Sequence, residues 1–93
     1  MSAESERAVR LVLYTRKDCP LCDEMKAEIA RARLGSACAL EVVDVDSDPA
    51  LAARHGLSVP VLEIEGRPAF KVRWTAEDLR RRVERELRAR KTA

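Results

Sequence analysis

Apolar residues along this chain switch between two spacings. Arg10–Thr15 ("RLVLYT") is a short aliphatic run of the kind that forms a buried strand. From Pro20 to Leu34 the apolar positions become Leu21, Met25, Ile29 and Ala32, which share one helical face. Pro20 suits the first helical turn, where its missing N–H costs no hydrogen bond. Gly35 is expected as the left-handed residue just past that helix. Ala39–Asp46 predicts a second strand, and Asp48-Pro49 opens a short helix closed at Gly56. Val59–Ile64 and Arg67–Val72 predict two more strands joined by a hairpin turn at Glu65-Gly66. Thr75 followed by Asp78 resembles a capping box, opening a last helix with Leu79, Val83 and Leu87 on one stripe.

The predicted order is therefore β-α-β-α-β-β-α. Its first β-α-β unit implies a parallel pair with a right-handed crossover, and the hairpin adds antiparallel strands. The expected fold class is α/β, a four-stranded mixed sheet flanked by helices. A chain of 93 residues is sized for a single domain, with its core expected between about residues 10 and 88. Tyr14, Phe70 and Trp74 are the sole aromatics besides His55, so that core must be largely aliphatic.

Composition narrows the partners. No segment is apolar enough for a bilayer span, and the first ten residues lack the apolar stretch of a secretory leader, so a cytoplasmic location is expected. A net charge of +2 implies no polyanionic partner. The basic run of the last helix contains Glu77–Arg81, Glu84–Arg88 and Glu86–Arg90, which are ion-pair spacings on a solvated face. Neither nucleic acid nor membrane is expected as a partner, and the chain is expected to be monomeric.

Against this background "YTRKDCPLCDEM" stands out, because Cys19 and Cys22 lie one helical turn apart at the join between strand and helix. Cys19 falls where unpaired backbone N–H groups and the positive end of the helix dipole favour a thiolate. Cys22 shares its face and can reach it. A nucleophile and a resolving thiol need this geometry. The same spacing serves half of a zinc site, but such a site wants two further Cys or His ligands, and only Cys38 and His55 remain. No metal site is assigned. A CxxC beside a βαβ pattern favours the redox reading. Cys38 reads as a small, partly buried apolar residue, and His55 as a cation capping a helix C-terminus. Pro60, taken from the residues alone, is a proline at a strand start.

Taken together, "YTRKDCPLC" and "DVDSDPALAARHGLSVPVLEIEG" resemble the thioredoxin superfamily, nearest to small bacterial glutaredoxin-like proteins, over Leu11 to Leu87. The resemblance implies a thiol–disulfide oxidoreductase active in electron transport, with Cys19 as exposed nucleophile and Cys22 as resolver. It also implies a cis Pro60 packed beside them, with Val59 pairing an incoming substrate as a short added strand. Pro20, Leu21 and Arg16 complete the implied substrate surface. Arg16 matches a position that contacts the glutathione glycyl carboxylate in relatives. Two departures stand beside these matches. Leu21 replaces an aromatic usual in glutaredoxins, and "KVRWTAED" lacks the Gly-Gly and acidic residue that hold the γ-glutamyl end. The implied substrates are protein disulfides or glutathione mixed disulfides, reset by glutathione or a protein reductase, with no tightly bound cofactor. The alternatives are a module carrying an iron–sulfur cluster or metal on Cys19, or a partner-binding domain with little turnover.

Overall fold

The computed structural model describes residues 8–56 and 58–92, with side chains to Arg90, so the polar stretch read above for the absence of a leader lies largely outside the described residues. The elements are β1 (Val9–Thr15), α1 (Pro20–Arg31), β2 (Cys38–Asp44), α2 (Pro49–His55), β3 (Val61–Ile64), β4 (Arg67–Lys71) and α3 (Ala76–Thr92). They follow the predicted order. The sheet runs β2-β1-β3-β4, with β1 parallel to β2 and antiparallel to β3, and β4 antiparallel to β3. This is the mixed, helix-flanked sheet of the thioredoxin-like fold.

Alternation along β1 builds the two faces. Val9, Leu11, Leu13 and Thr15 are buried, while Arg10 is exposed and Val12 and Tyr14 are half-buried between them. The buried set joins Leu62 and Ile64 of β3 under Met25, Ile29 and Ala32 of α1 and Leu79 and Val83 of α3. Truncating a buried leucine such as Leu13 or Leu62 to alanine is worth about 2–5 kcal/mol. Polar contacts lock α1 to α3. The Ala76 N–H donates to Glu28 Oε1 at 2.9 Å, and the Thr75 hydroxyl accepts from the Asp78 N–H at 3.0 Å, the expected cap. The remaining face meets α2 through His55, whose ring stacks on Tyr14 at 4.4 Å. His55, read as a cation at a helix C-terminus, is the last residue of α2; it is buried there, and its Nε2 has no hydrogen-bond partner among the described residues. The Tyr14 hydroxyl donates to Glu63 Oε1 at 3.1 Å, and burial first, then this carboxylate, raises the phenol pKa.

Several boundaries move. The first helix ends at Arg31, and Arg33, not Gly35, takes the left-handed turn past its C-cap with φ +49°. Gly35 adopts φ +57° further on, at the start of a 3₁₀ turn. The second strand stops at Asp44, because the Asp44 carboxylate accepts the Asp46 N–H at 2.9 Å and turns the chain into a 3₁₀ segment. The strands β3 and β4 are shorter than predicted at the Val59-Pro60 and Val72 ends. Glu65-Gly66 forms the hairpin turn, both residues with positive φ, as a two-residue turn of this kind requires. The last helix carries the Glu77–Arg81 pair, while Arg90 reaches across to Glu65.

Candidate active site

The end of β1 delivers the chain to the dithiol. After Thr15 the loop Arg16–Asp18 turns through a left-handed Asp18 (φ +55°), a conformation that Asp tolerates better than most residues. Cys19 then caps α1 in extended backbone (φ −116°, ψ 93°), with Pro20 as the first helical residue. The Cys19 sulfur accepts the backbone N–H of Cys22 at 3.1 Å, so one otherwise orphaned helix-start donor points at the nucleophile candidate. Cys19 and Cys22 form a disulfide, with Cα atoms 5.2 Å apart. Their exposures differ: Cys19 is partly exposed, whereas Cys22 is 1% exposed. Pro20 is exposed, and Leu21 is half-buried against the core, so the tetrapeptide presents an apolar surface beside the accessible sulfur. Leu21 thus packs at the margin of the stripe formed by Met25, Ile29 and Ala32, while Cys22 is buried beside it.

The sheet register brings the remaining candidates to the same end. Tyr14 pairs with Val61, and the antiparallel register leads from that pair to the buried Thr15 on β1 and the buried Pro60 just before β3, at the same end of the sheet. The Val59-Pro60 bond is cis, and Pro60 is among the fully buried side chains while Val59 stays partly exposed. No hydrogen bond to the Val59 backbone is found among the described residues. On the other side of Pro60, Lys71 pairs with Val61 and the Val72 N–H donates to the Pro60 carbonyl at 2.7 Å. The segments bearing Cys19, Pro60 and Val72 thus follow one another across one end of the sheet.

Two features of this end were not visible in the sequence. The first is the engagement of Arg16. Its Nε and Nη2 grip Asp46 Oδ2 and Oδ1, both at 3.1 Å, and Nη1 donates to the Gly56 carbonyl at 3.0 Å. A Cβ built on Gly56 would lie 2.9 Å from Arg16 Nη2 and 2.5 Å from the Ala52 carbonyl oxygen, so glycine is required for this close approach. The guanidinium that the resemblance places on the substrate surface ties the loop after β1 to the turn after β2 and the end of α2. Asp46 and Gly56 lie 30 and 40 residues away from it, and no local pattern announces the contact.

The second is Val72. It adopts φ +68° and is 42% exposed. A β-branched residue in left-handed backbone is an outlier, with a cost on the order of 1–2 kcal/mol. The sole sequence signal was the lack of glycine in "KVRWTAED". Arg73 beside it turns toward Glu24 (3.7 Å), and Trp74 enters the core, its backbone N–H donating to Met25 Sδ at 3.2 Å. An open groove of about 710 Å³ lies between α1 and the approach to α3, lined by Glu24, Met25, Glu28, Arg31, Arg73 and Asp78; neither cysteine borders it.

Cys38, the third thiol, opens β2 at the opposite end of the sheet, paired with Val9. Burial pushes its thiol pKa up to about 11, against a lowering by Arg90 and a further raising by Glu65. Among the described residues no three His, Cys, Asp or Glu side chains converge as a metal-binding group. Nor is any described helix long and apolar enough to cross a membrane.

Residues 10–84 match the family model described as glutaredoxin-like domain (DUF836). The structural-genomics target protein XcR50 from X. campestris is 40% identical; its X-ray structure superposes with a TM-score of 0.69 over 80% of this chain and 95% of that one. The solution structure of the same target gives a TM-score of 0.68 at 40% identity, covering 80% of this chain and 91% of that one. Thioredoxin 1 from Thermosipho africanus, at 18% identity, shares the fold with a TM-score of 0.65 over 88% of this chain and 98% of its own. No curated protein matches the chain.

Proposed function

This chain belongs to the glutaredoxin-like domain family, and from that premise we propose that it is a thiol–disulfide oxidoreductase working through Cys19 and Cys22. The observation that carries the reading is the Cys22 N–H directed at the Cys19 sulfur at the first turn of α1, with Cys22 buried behind it. A donor placed there stabilises a sulfur anion, and helix N-termini favour such anions generally. The buried partner sits within bonding distance yet away from solvent, which suits a resolving thiol.

In the reduced protein the Cys19 thiolate attacks one sulfur of a substrate disulfide. The substrate S–S bond breaks, a Cys19–substrate disulfide forms, and the departing sulfur leaves as a thiolate that takes up a proton. Cys22 loses its proton and attacks the Cys19 sulfur, breaking the mixed disulfide and releasing the second substrate thiol. Two electrons have passed to the substrate, which gains two protons, and the protein is left with the Cys19–Cys22 disulfide. An external thiol reductant reverses these bond changes to reset it. Val59, partly exposed before the cis proline, offers its backbone to the substrate chain as a short added strand. Arg16 acts as a positioning residue that braces this loop through Gly56.

The test is a mixed-disulfide trap. Cys22→Ser should hold a disulfide substrate covalently on Cys19, and Cys19→Ser should hold none. Capture by Cys19→Ser, or turnover surviving in it, overturns the assignment of roles.

A further inference from the structure

We propose that the exchange site selects protein disulfides carried in extended, apolar segments over glutathione mixed disulfides, and that Val72 is the residue that sets this preference; the inference rests on the disulfide-exchange reading above. Val72 is held in place by the sheet. Its N–H donates to the Pro60 carbonyl at 2.7 Å, so the residue lies beside the proline that the substrate strand must pass. Its left-handed backbone (φ +68°) is a conformation that glycine adopts freely and valine resists. The described chain nevertheless places a branched apolar side chain there and leaves it 42% exposed. Strain of this kind persists where the surrounding structure enforces it, and it concentrates at sites that bind or react. With the exposed Pro20 and the half-buried Leu21 and Val59, Val72 adds apolar surface to an end of the sheet that also carries the exposed Lys17, Asp18 and Asp23.

Charge points the same way. Glutathione is a small hydrophilic tripeptide with two carboxylates, and its recognition calls for free cationic donors near the reacting sulfur. Arg16, the nearest guanidinium in sequence to Cys19, has its fork closed on Asp46 and a further N–H on Gly56. Arg73, next to Val72, leans toward Glu24. Each guanidinium thus faces one of the protein's own carboxylates, the Arg73 pair in an exposed position, and the exposed Lys17 is the ammonium nearest Cys19 in sequence. The backbone and apolar surface beside them fit an extended polypeptide.

The experiment mixes prereduced protein with two oxidants in single turnover and follows formation of the Cys19–Cys22 disulfide by quenching and alkylation. One oxidant is a cyclic disulfide peptide with valine and leucine flanking its cysteines. The other is the mixed disulfide of glutathione with 2-mercaptoethanol. Each leaves two thiols as the protein dithiol becomes a disulfide. Wild type should favour the peptide, and Val72→Gly should move the rate ratio toward glutathione by about tenfold, the scale of losing a small apolar contact. Val72→Ile should keep the wild-type preference. Leu40→Ser, which removes an equally exposed apolar side chain from the far edge strand β2, should leave the ratio alone. A wild type that prefers the glutathione disulfide, a ratio unmoved in Val72→Gly, or one moved equally by Leu40→Ser, overturns the proposal and leaves the exchange chemistry intact. If wild type oxidises with neither compound, both readings fall.

Discussion

Cys19 and Cys38 each open a regular element, each is partly exposed, and they differ in nearly everything that governs a thiol. Cys19 begins a helix and receives a backbone N–H; Cys38 begins a strand, where the backbone donors are committed to the ladder. Burial pushes the Cys38 thiol up to about 11, so it stays protonated and unreactive near neutral pH. Exposure alone therefore does not set the proposed nucleophile apart from Cys38; the backbone N–H directed at its sulfur does. The two thiols also stand at opposite ends of the seven-residue β1, about 20 Å apart by strand rise, so Cys38 cannot exchange with the dithiol in the same molecule.

The largest effects should fall on the helix side of this comparison. Cys19→Ser should reduce disulfide turnover to the uncatalysed rate, and Cys22→Ser should stop it after the mixed disulfide. Cys38→Ser should stay within about twofold of wild type in the same assay. Equal losses in Cys19→Ser and Cys38→Ser would erase the contrast.

Much of this contrast is legible in the sequence. The strand, the CxxC and the amphipathic helix follow from hydrophobic spacing and one proline, which are local signals. The cis state of Pro60 came from family resemblance alone, since the residues are equally consistent with a trans proline at a strand start. Other features depend on contacts distant in sequence. Leu40 and Val42 look like core residues in an aliphatic run, yet they are 46% and 47% exposed because β2 forms an edge of the sheet. Arg33 replaced Gly35 past the first helix because the apolar spacing overran the true end by a turn. Arg16–Asp46 had no local signature, and the left-handed Val72 had only the missing glycine of "KVRWTAED".

Smaller effects sharpen the comparison at the dithiol end. Gly56→Ala drives a Cβ against the Ala52 carbonyl and the Arg16 guanidinium, so urea unfolding should show a loss of about 1–3 kcal/mol. Exchange should slow as the loop carrying Pro60 shifts. Val72→Gly should do the reverse for stability, raising it by about 1 kcal/mol as left-handed strain is relieved. A lower urea midpoint in Val72→Gly would show that no strain was stored there.

The effect on the strand side is confined to alkaline pH. The folded Cys38 pKa lies above its ordinary value of 9.0, at about 11, so the folded state holds the proton more tightly than the unfolded chain. The associated stability is complete below pH 9.0 and is lost as pH rises toward about 11. Its size is on the order of 1–2 kcal/mol for a partly buried thiol. Urea melts of wild type and Cys38→Ala across that alkaline range should converge as the thiol ionises; parallel curves would remove Cys38 from the account.

Site-resolved alkylation of the fully reduced protein tests the central claim most directly. With iodoacetamide limiting at neutral pH and the products mapped by mass spectrometry, Cys19 should be modified first, about 100-fold faster than Cys38, with Cys22 shielded behind it. If Cys38 reacts as fast as Cys19, or Cys22 reacts before it, the start of α1 does not create the nucleophile and the account fails.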